Sequence, residues 1–324
     1  MKTIQKQWFL LALAAALALG FSFADWVSAV GHTPGLRSGL VASVLFLMGL
    51  TVPAGSFGSA LRSPKAGLLA LVLNIVAVPL IAATLANLLP ASLAGGLVVA
   101  AAVPCTLASA LAWTRRGHGN EVVPMMVMLV TNSLCFLIAP ATLLLLLGQT
   151  VQLNFADQAS KLALLVVLPL AIAALVRLRR GIAQWADANK QSLTTIALCG
   201  ILVMVSFGAA ATSLQSFSSA EQGGPPENTA TFWITVAGLL ALLTHLTVLA
   251  GGWWLAGRMG LSHPDRVAVA IAGSQKTLMV GLQISLDCGV STLPMTLYHV
   301  GQLLSDTVFV SRVAHAPPET APQS

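Results

Sequence analysis

The chain has 324 residues, 56% hydrophobic and 8% charged, with a formal net charge of +6 and a mean hydropathy of +0.86. A soluble domain carries about 25% charged residues, so the composition excludes a water-soluble globular protein and points to an all-α polytopic membrane protein. The positive balance does not mark a nucleic-acid partner, because Lys and Arg fall between apolar runs instead of on one soluble face.

About 20 apolar residues cross a bilayer as a helix, and ten runs of that kind follow in order. The first, 8–30, starts like a signal peptide after Lys2 and Lys6 but outlasts an h-region of 7 to 15 residues, so it reads as a retained span. The second, 36–52, stops at Pro53 before a Gly/Ser-rich loop with Arg62 and Lys65. The third, 64–89, holds Asn74 and Pro79. The fourth, 93–113, is broken near Pro104, and the fifth, 122–147, carries Pro124, Thr131, Asn132 and Pro140. After a polar connector, 149–161, come spans 162–178 and 193–211. A Ser/Gly/Pro-rich stretch, 213–229, reads as a flexible linker. Spans 230–256, 264–286 and 293–313 complete the set, and the tail 316–324 reads as disordered. Cys105, Cys135, Cys199 and Cys288 stand singly, with no metal or disulfide spacing.

The charges test the assignment. Alternating loops place Lys2, Lys6, Arg62, Lys65, Arg115, Arg116, Arg177, Arg179, Arg180, Lys190, Arg258, Arg266 and Arg312 on one side, and Arg37 and Lys161 on the other. The positive-inside rule then makes both termini cytoplasmic, in the inner membrane of a bacterium.

Lys276 belongs to neither side. It sits in Ala272-Gly273-Ser274-Gln275-Lys276-Thr277, inside an apolar run, where a lysine costs roughly 2.5 to 3.5 kcal/mol on insertion scales. Such a group is tolerated where the helix is interrupted and faces protein or a water-filled cavity. The connector divides ten spans into two sets of five (1–148 and 162–315), and a tandem odd-numbered set inserts inverted. The fourth member of each set is interrupted, at Pro104 and at Gly273 to Lys276. Interrupted segments at matching places in two inverted halves mark the binding site of many secondary transporters.

Several short motifs carry a resemblance. Val103-Pro104-Cys105-Thr106-Leu107-Ala108-Ser109-Ala110 with Gly119-Asn120-Glu121, Asn74 with Pro79, Gly49-Leu50-Thr51, His263-Pro264-Asp265, and Tyr298-His299 with Gln302 together resemble the bile acid:sodium symporter superfamily. Within it, Ser274 to Thr277 and Tyr298-His299 are most similar to the branch of the seventh member of solute carrier family 10. The resemblance implies ten helices in a panel domain (spans 1, 2, 6, 7) and a core domain (spans 3–5, 8–10). Broken spans 4 and 9 would cross in the core, and solute would bind beside the crossing.

The resemblance also implies two sodium ions. Asn74, Ser109 and Gln275 match the sodium-binding pattern, but Ala110 stands in place of an Asn, Pro124 and Met128 in place of hydroxyls, and Ile271 in place of a Glu. The sodium sites are therefore degenerate, and no metal site is assigned. Lys276 offers two substitutes: a fixed ammonium that replaces the cation, or a proton carrier loaded and released in each cycle.

The candidate solute- and ion-binding set is Asn74, Pro104, Ser109, Thr131, Asn132, Ser274, Gln275, Lys276, Thr277 and His299, with Asp306 as a counter-ion for Lys276. Most have a plainer alternative. The hydroxyl and amide groups are also the kind that join neighbouring helices, His245 and His299 read as satisfied core histidines, and Pro104 alone could be a kink. The function expected is alternating-access transport of a small organic solute, an anion among the candidates, with sodium or a proton as coupling ion. A membrane regulator of ion homeostasis is the alternative. An intramembrane enzyme ranks last, since neither a His-Glu-x-x-His nor a Gly-x-Ser-x-Gly pattern is present.

Overall fold

The computed structural model describes residues 2–52, 63–148, 154–221 and 227–313, and among these every regular element is a helix. In lipid, a chain of Leu, Val and Ala must satisfy its own backbone groups, which the helix does within one segment. In order the helices are α1 (Lys2–Ser22), α2 (Ala24–Gly31), α3 (Leu36–Leu50), α4 (Pro64–Ala86), α5 (Ala91–Ala102), α6 (Ser109–Arg116), α7 (Val122–Ser133) and α8 (Cys135–Leu147). Then follow α9 (Phe155–Val176), α10 (Arg180–Ala188), α11 (Lys190–Glu221), α12 (Glu227–Arg258), α13 (His263–Ser274), α14 (Leu278–Asp287) and α15 (Leu293–Val313).

Among the described residues five runs are long and apolar enough to cross a membrane: Pro64–Ala86, Phe155–Val176, Lys190–Leu214, Thr231–Arg258 and His263–Asp287. Counting each of two bent pairs as one span raises this to seven. The chain is an all-helical polytopic membrane protein.

Several sequence expectations change in detail. The first span is bent by 99° between α1 and α2, and the fifth by 74° between α7 and α8. At the second bend, Thr131 Oγ1 donates to Val127 O at 2.7 Å and Asn132 Nδ2 to Met128 O at 2.8 Å. Side chains that bond back to carbonyls four residues earlier bend a helix in this way. The expected linker 213–229 is largely helical, since α11 runs to Glu221 and α12 starts at Glu227. Once a helix is nucleated by its apolar part, extension through Ser, Ala and Gln is cheap. The second half of the expected connector forms the first two turns of α9, capped by Asn154 Oδ1 accepting from Ala156 N at 3.0 Å. The Gly/Ser loop after Pro53 with Arg62, the start of the connector and the tail 316–324 lie outside the described residues.

α4 and α9 share a device. Each contains five π-helical residues, Leu73–Ala77 and Ala163–Val167, that end two residues before a proline, Pro79 and Pro169. Proline lacks an N–H and clashes with the carbonyl four residues back; one extra residue in the turn relieves the clash.

Helix α11 packs on α1, α2 and α3, and α3 also packs on α9. Separately, α12 packs on α13 and α15, α4 on α5 and α13, and α7 on α13. The run His263–Asp287 is buried along its whole window, so the polar segment inside it is the centre of the molecule.

Candidate functional site

The site forms where two helices stop. Helix α5 ends at Ala102 because Pro104 cannot continue it and forces Val103 into an extended conformation (ψ 160°). Helix α13 ends at Ser274, with Gln275 extended (ψ 138°), and α14 begins after Thr277. The break is thus Gln275 to Thr277. Gly273 is still helical, and its missing Cβ lets α13 approach Leu73 of α4, whose side chain would lie 3.0 Å from it. The two breaks touch directly: Thr277 N donates to Pro104 O at 2.9 Å.

Each break strands buried carbonyls, which must find partners elsewhere. They all do. Asn74 Nδ2 donates to Ala272 O and Gln275 O, both at 3.0 Å. Tyr298 Oη donates to Ser274 O at 2.8 Å. Gln302 takes the main chain of Lys276, Asn132 Nδ2 donates to Cys105 O at 2.9 Å, and Thr131 Oγ1 accepts from Cys105 N at 3.1 Å.

The Lys276 ammonium fills the remaining gap. Its Nζ donates to Asn74 O at 2.7 Å, Val103 O at 3.0 Å and Asn74 Oδ1 at 3.1 Å, three acceptors for three N–H bonds. Each carbonyl is free because of a proline. In π register Val78 N bonds Leu73 O, so the next donor, for Asn74 O, would be residue 79, and Pro79 has none. Val103 O is free because Pro104 ends α5 and leaves Val103 extended, outside the helical ladder. Lys276 is 1% exposed, and only about 10 Å³ remains beside it, about the least one water needs.

On the other face of the break, Thr106 Oγ1 and Ser109 Oγ each donate to Gln275 Oε1 at 2.8 Å. Gln275 Nε2 donates to Asp306 Oδ2, and Asp306 Oδ1 meets His245 Nε2 at 3.1 Å. Asp306 is fully buried. It lies with His245 and Gln275, whereas the bonds of Lys276 Nζ go to uncharged oxygens; no salt bridge joins Asp306 to Lys276 among the described residues. The counter-ion role expected for Asp306 is therefore not the arrangement seen.

A family model described as the SBF-like CPA transporter family matches residues 7–315. The chain belongs to this family. It is accordingly an integral membrane transporter of the bile acid:sodium symporter type. It is 23% identical to "Sodium/bile acid cotransporter 7-A" of Xenopus laevis, over 97% of this chain and 93% of that protein. It is 26% identical to "Probable sodium/metabolite cotransporter BASS4, chloroplastic" of Arabidopsis thaliana, over 93% of this chain and 71% of that one. With an uncharacterized protein of Pseudomonas aeruginosa it shares 29% identity over 68% of this chain and 65% of that protein.

For this family member, the structure brings Asn74, Pro104, Ser109, Thr131, Asn132, Gln275, Lys276 and Thr277 into one connected network. Ser274 contributes through its carbonyl, since its hydroxyl turns back to Ala270 O at 2.8 Å. His299 meets Gln302 Nε2 at 2.8 Å and lines a cavity of about 280 Å³ with Thr106, Ser109 and Thr277. Sequence reasoning left out Thr106, His245, Tyr298 and Gln302. Thr106, Tyr298 and Gln302 stood in quoted motifs and His245 was read as a satisfied core histidine, and each is a polar residue in an apolar run. Among the described residues no cluster of three His, Cys, Asp or Glu is placed to hold a metal ion.

Proposed function

We propose that the protein is a secondary carrier for a small organic anion, built as two inverted five-helix repeats and working by alternating access. The packing of α1, α2, α3, α9 and α11 together, and of α4, α5, α7, α12, α13 and α15 together, fits a panel moving against a core. The solute site in this reading is the 280 Å³ cavity beside the breaks, where Thr106, Ser109, Thr277 and His299 face Leu198 and Ile201 of α11. A neighbouring cavity of about 190 Å³ holds Arg115 and Lys190, which would raise the local concentration of anions. The positive-inside rule assigns this mouth, and both termini, to the cytoplasm; the membrane is the inner membrane of a bacterium.

The observation that carries the reading is the three-oxygen cage around Lys276 Nζ. Carbonyl ends of broken helices attract a cation, and here the chain supplies its own. Sodium coupling is then replaced by a fixed ammonium or by a proton carried on Lys276.

Uptake into proteoliposomes, with and without a sodium gradient and with and without a pH gradient, tests this. The expected result is uptake indifferent to sodium and lost or altered in its ion dependence in Lys276→Met. Sodium-dependent uptake that survives Lys276→Met unchanged would remove both roles for the lysine. A folded protein that carries no organic anion would favour the regulator of ion homeostasis instead.

A further inference from the structure

The bend between α7 and α8 leaves a gap beside α9. Helix α8 packs on the first part of α9 and α7 on Ala163–Val167, whereas Leu168–Val176 packs on α3. With the chain turned by 74° at Leu134, α7 diverges from this second half of α9, and a chamber of about 450 Å³ opens between α3, α7 and α9. That is the volume of a ligand site. Its inner wall is apolar, with Leu107, Met128, Val167 and Leu170. Its opening is sideways: Ala171, Ala174, Leu175 and Leu178 line it and are exposed, and Leu175 continues an exposed apolar stripe of Leu164, Leu168 and Ile172 along α9. On a membrane-spanning helix such a stripe meets acyl chains, so the chamber communicates with the bilayer.

Charge gathers at the same end of α9. Arg177 donates to Leu50 O and to Asp187 Oδ1, which ties the end of α9 to the end of α3 and to α10. Arg179 and Arg180 come directly after Leu178; both are exposed, and neither is in an ion pair among the described residues. They lead into α10, whose Trp185 is exposed as well. Tryptophan and arginine beside the end of a span mark the headgroup level of a bilayer.

We propose that this chamber is a lipid site, which takes an acyl chain of an anionic phospholipid while Arg179 and Arg180 take the headgroup phosphate. The sideways opening admits a chain from the bilayer without passage through water. Basic residues at the end of a span attract anionic headgroups, and the planar fork of arginine N–H donors matches phosphate oxygens. A zwitterionic lipid with the same chains has no net charge and gains less from the two guanidinium groups. The site lies apart from the 280 Å³ cavity beside the breaks and does not rest on the carrier reading; it requires only that the chain spans a membrane. The bound chain touches α3 and α9 on one side and α7 on the other.

The test is lipid retention by purified, delipidated protein in detergent, read as bound lipid per protein by native mass spectrometry and as a shift in unfolding temperature. The probes are phosphatidylglycerol, phosphatidylethanolamine with the same chains, and glycerol 3-phosphate as the headgroup without chains. Phosphatidylglycerol is expected to be retained and to raise the unfolding temperature, with phosphatidylethanolamine about tenfold weaker and glycerol 3-phosphate not bound. The double variant Arg179→Gln with Arg180→Gln should bind the two lipids alike. Ala174→Trp fills the mouth of the chamber from an exposed position and should lose phosphatidylglycerol, whereas Leu164→Trp, exposed on the same helix but outside the chamber, should keep it. Equal retention of both lipids by the parent protein overturns the assignment of the phosphate to Arg179 and Arg180. Retention that survives Ala174→Trp, or is lost equally in Leu164→Trp, overturns the chamber as the place of the chain. Glycerol 3-phosphate bound as tightly as the lipid would make the site one for a free phosphate and also overturn the proposal.

Discussion

Gln302 holds the main chain of Lys276 in both directions: Lys276 N donates to Gln302 Oε1 at 3.0 Å, and Gln302 Nε2 donates to Lys276 O at 3.1 Å. One side-chain amide from α15 thus substitutes for the two helical bonds that the break removes. Gln302→Leu would leave a buried donor and a buried acceptor unpaired, each costing about 1–3 kcal/mol. Unfolding in detergent should show a loss of roughly 2–6 kcal/mol; a change within about 0.5 kcal/mol, the scatter of an ordinary surface substitution, would show that the break is held by other contacts.

How far the chain announces this arrangement depends on whether the signal is local. Lys276 in an apolar run, Pro104 in the fourth run and the spacing of Asn74 from Pro79 are local, and they located the centre. What they could not give was pairing over long separations, such as Asn74 with Gln275 or Tyr298 with Ser274. Thr106 and Gln302 look like any helix-joining polar residue until those partners are known. The bends at Phe23 and Leu134 were hidden for a related reason, since hydropathy counts apolar residues without recording direction. The helical end of α11 was hidden by composition, because Ser-rich sequence reads as linker unless an apolar helix leads into it.

Gly96 marks the closest approach of α5 to the loop before α15. A Cβ there would stand 2.2 Å from Ser291 O and 3.0 Å from Pro294 Cγ, and a main-chain oxygen cannot rotate away. Gly96→Ala is expected to lower stability by about 1–3 kcal/mol, the usual range for overpacking, and to reduce the yield of folded protein. Chemical denaturation compared with Gly251→Ala, where nothing lies within 4 Å, provides the control.

Outside the membrane-spanning segments, the hydrogen bond and charge of Arg115 hold the Glu121 carboxyl below its usual value, against a smaller opposing effect of burial. A lowered carboxyl value contributes stability that is present above the unfolded value, about 4.3, and lost as pH falls through the folded value. Both side chains are partly exposed, so the effect should be below about 1 kcal/mol. Glu121→Gln should therefore lose a small amount of stability near neutral pH and match the parent protein in acid. A difference that persisted unchanged at low pH would mean that the contact matters for packing rather than charge.

Pro79 gives the sharpest separation of stability from function. In an ordinary helix interior, replacing proline by alanine recovers about 3 kcal/mol, because a donor is restored and a clash removed. Here the restored N–H at position 79 would be the π-register partner of Asn74 O, or would let Leu73–Ala77 relax to α-helix, and in either case it competes with Lys276 Nζ for that oxygen. Pro79→Ala is accordingly expected to unfold at the same or a higher temperature while transport falls, since the ammonium loses its shortest bond. Pro169→Ala is the matched control: it repairs the same type of π segment in α9, away from Lys276. Equal transport in the two variants would mean that the proline is only a kink and that the lysine cage does not depend on it.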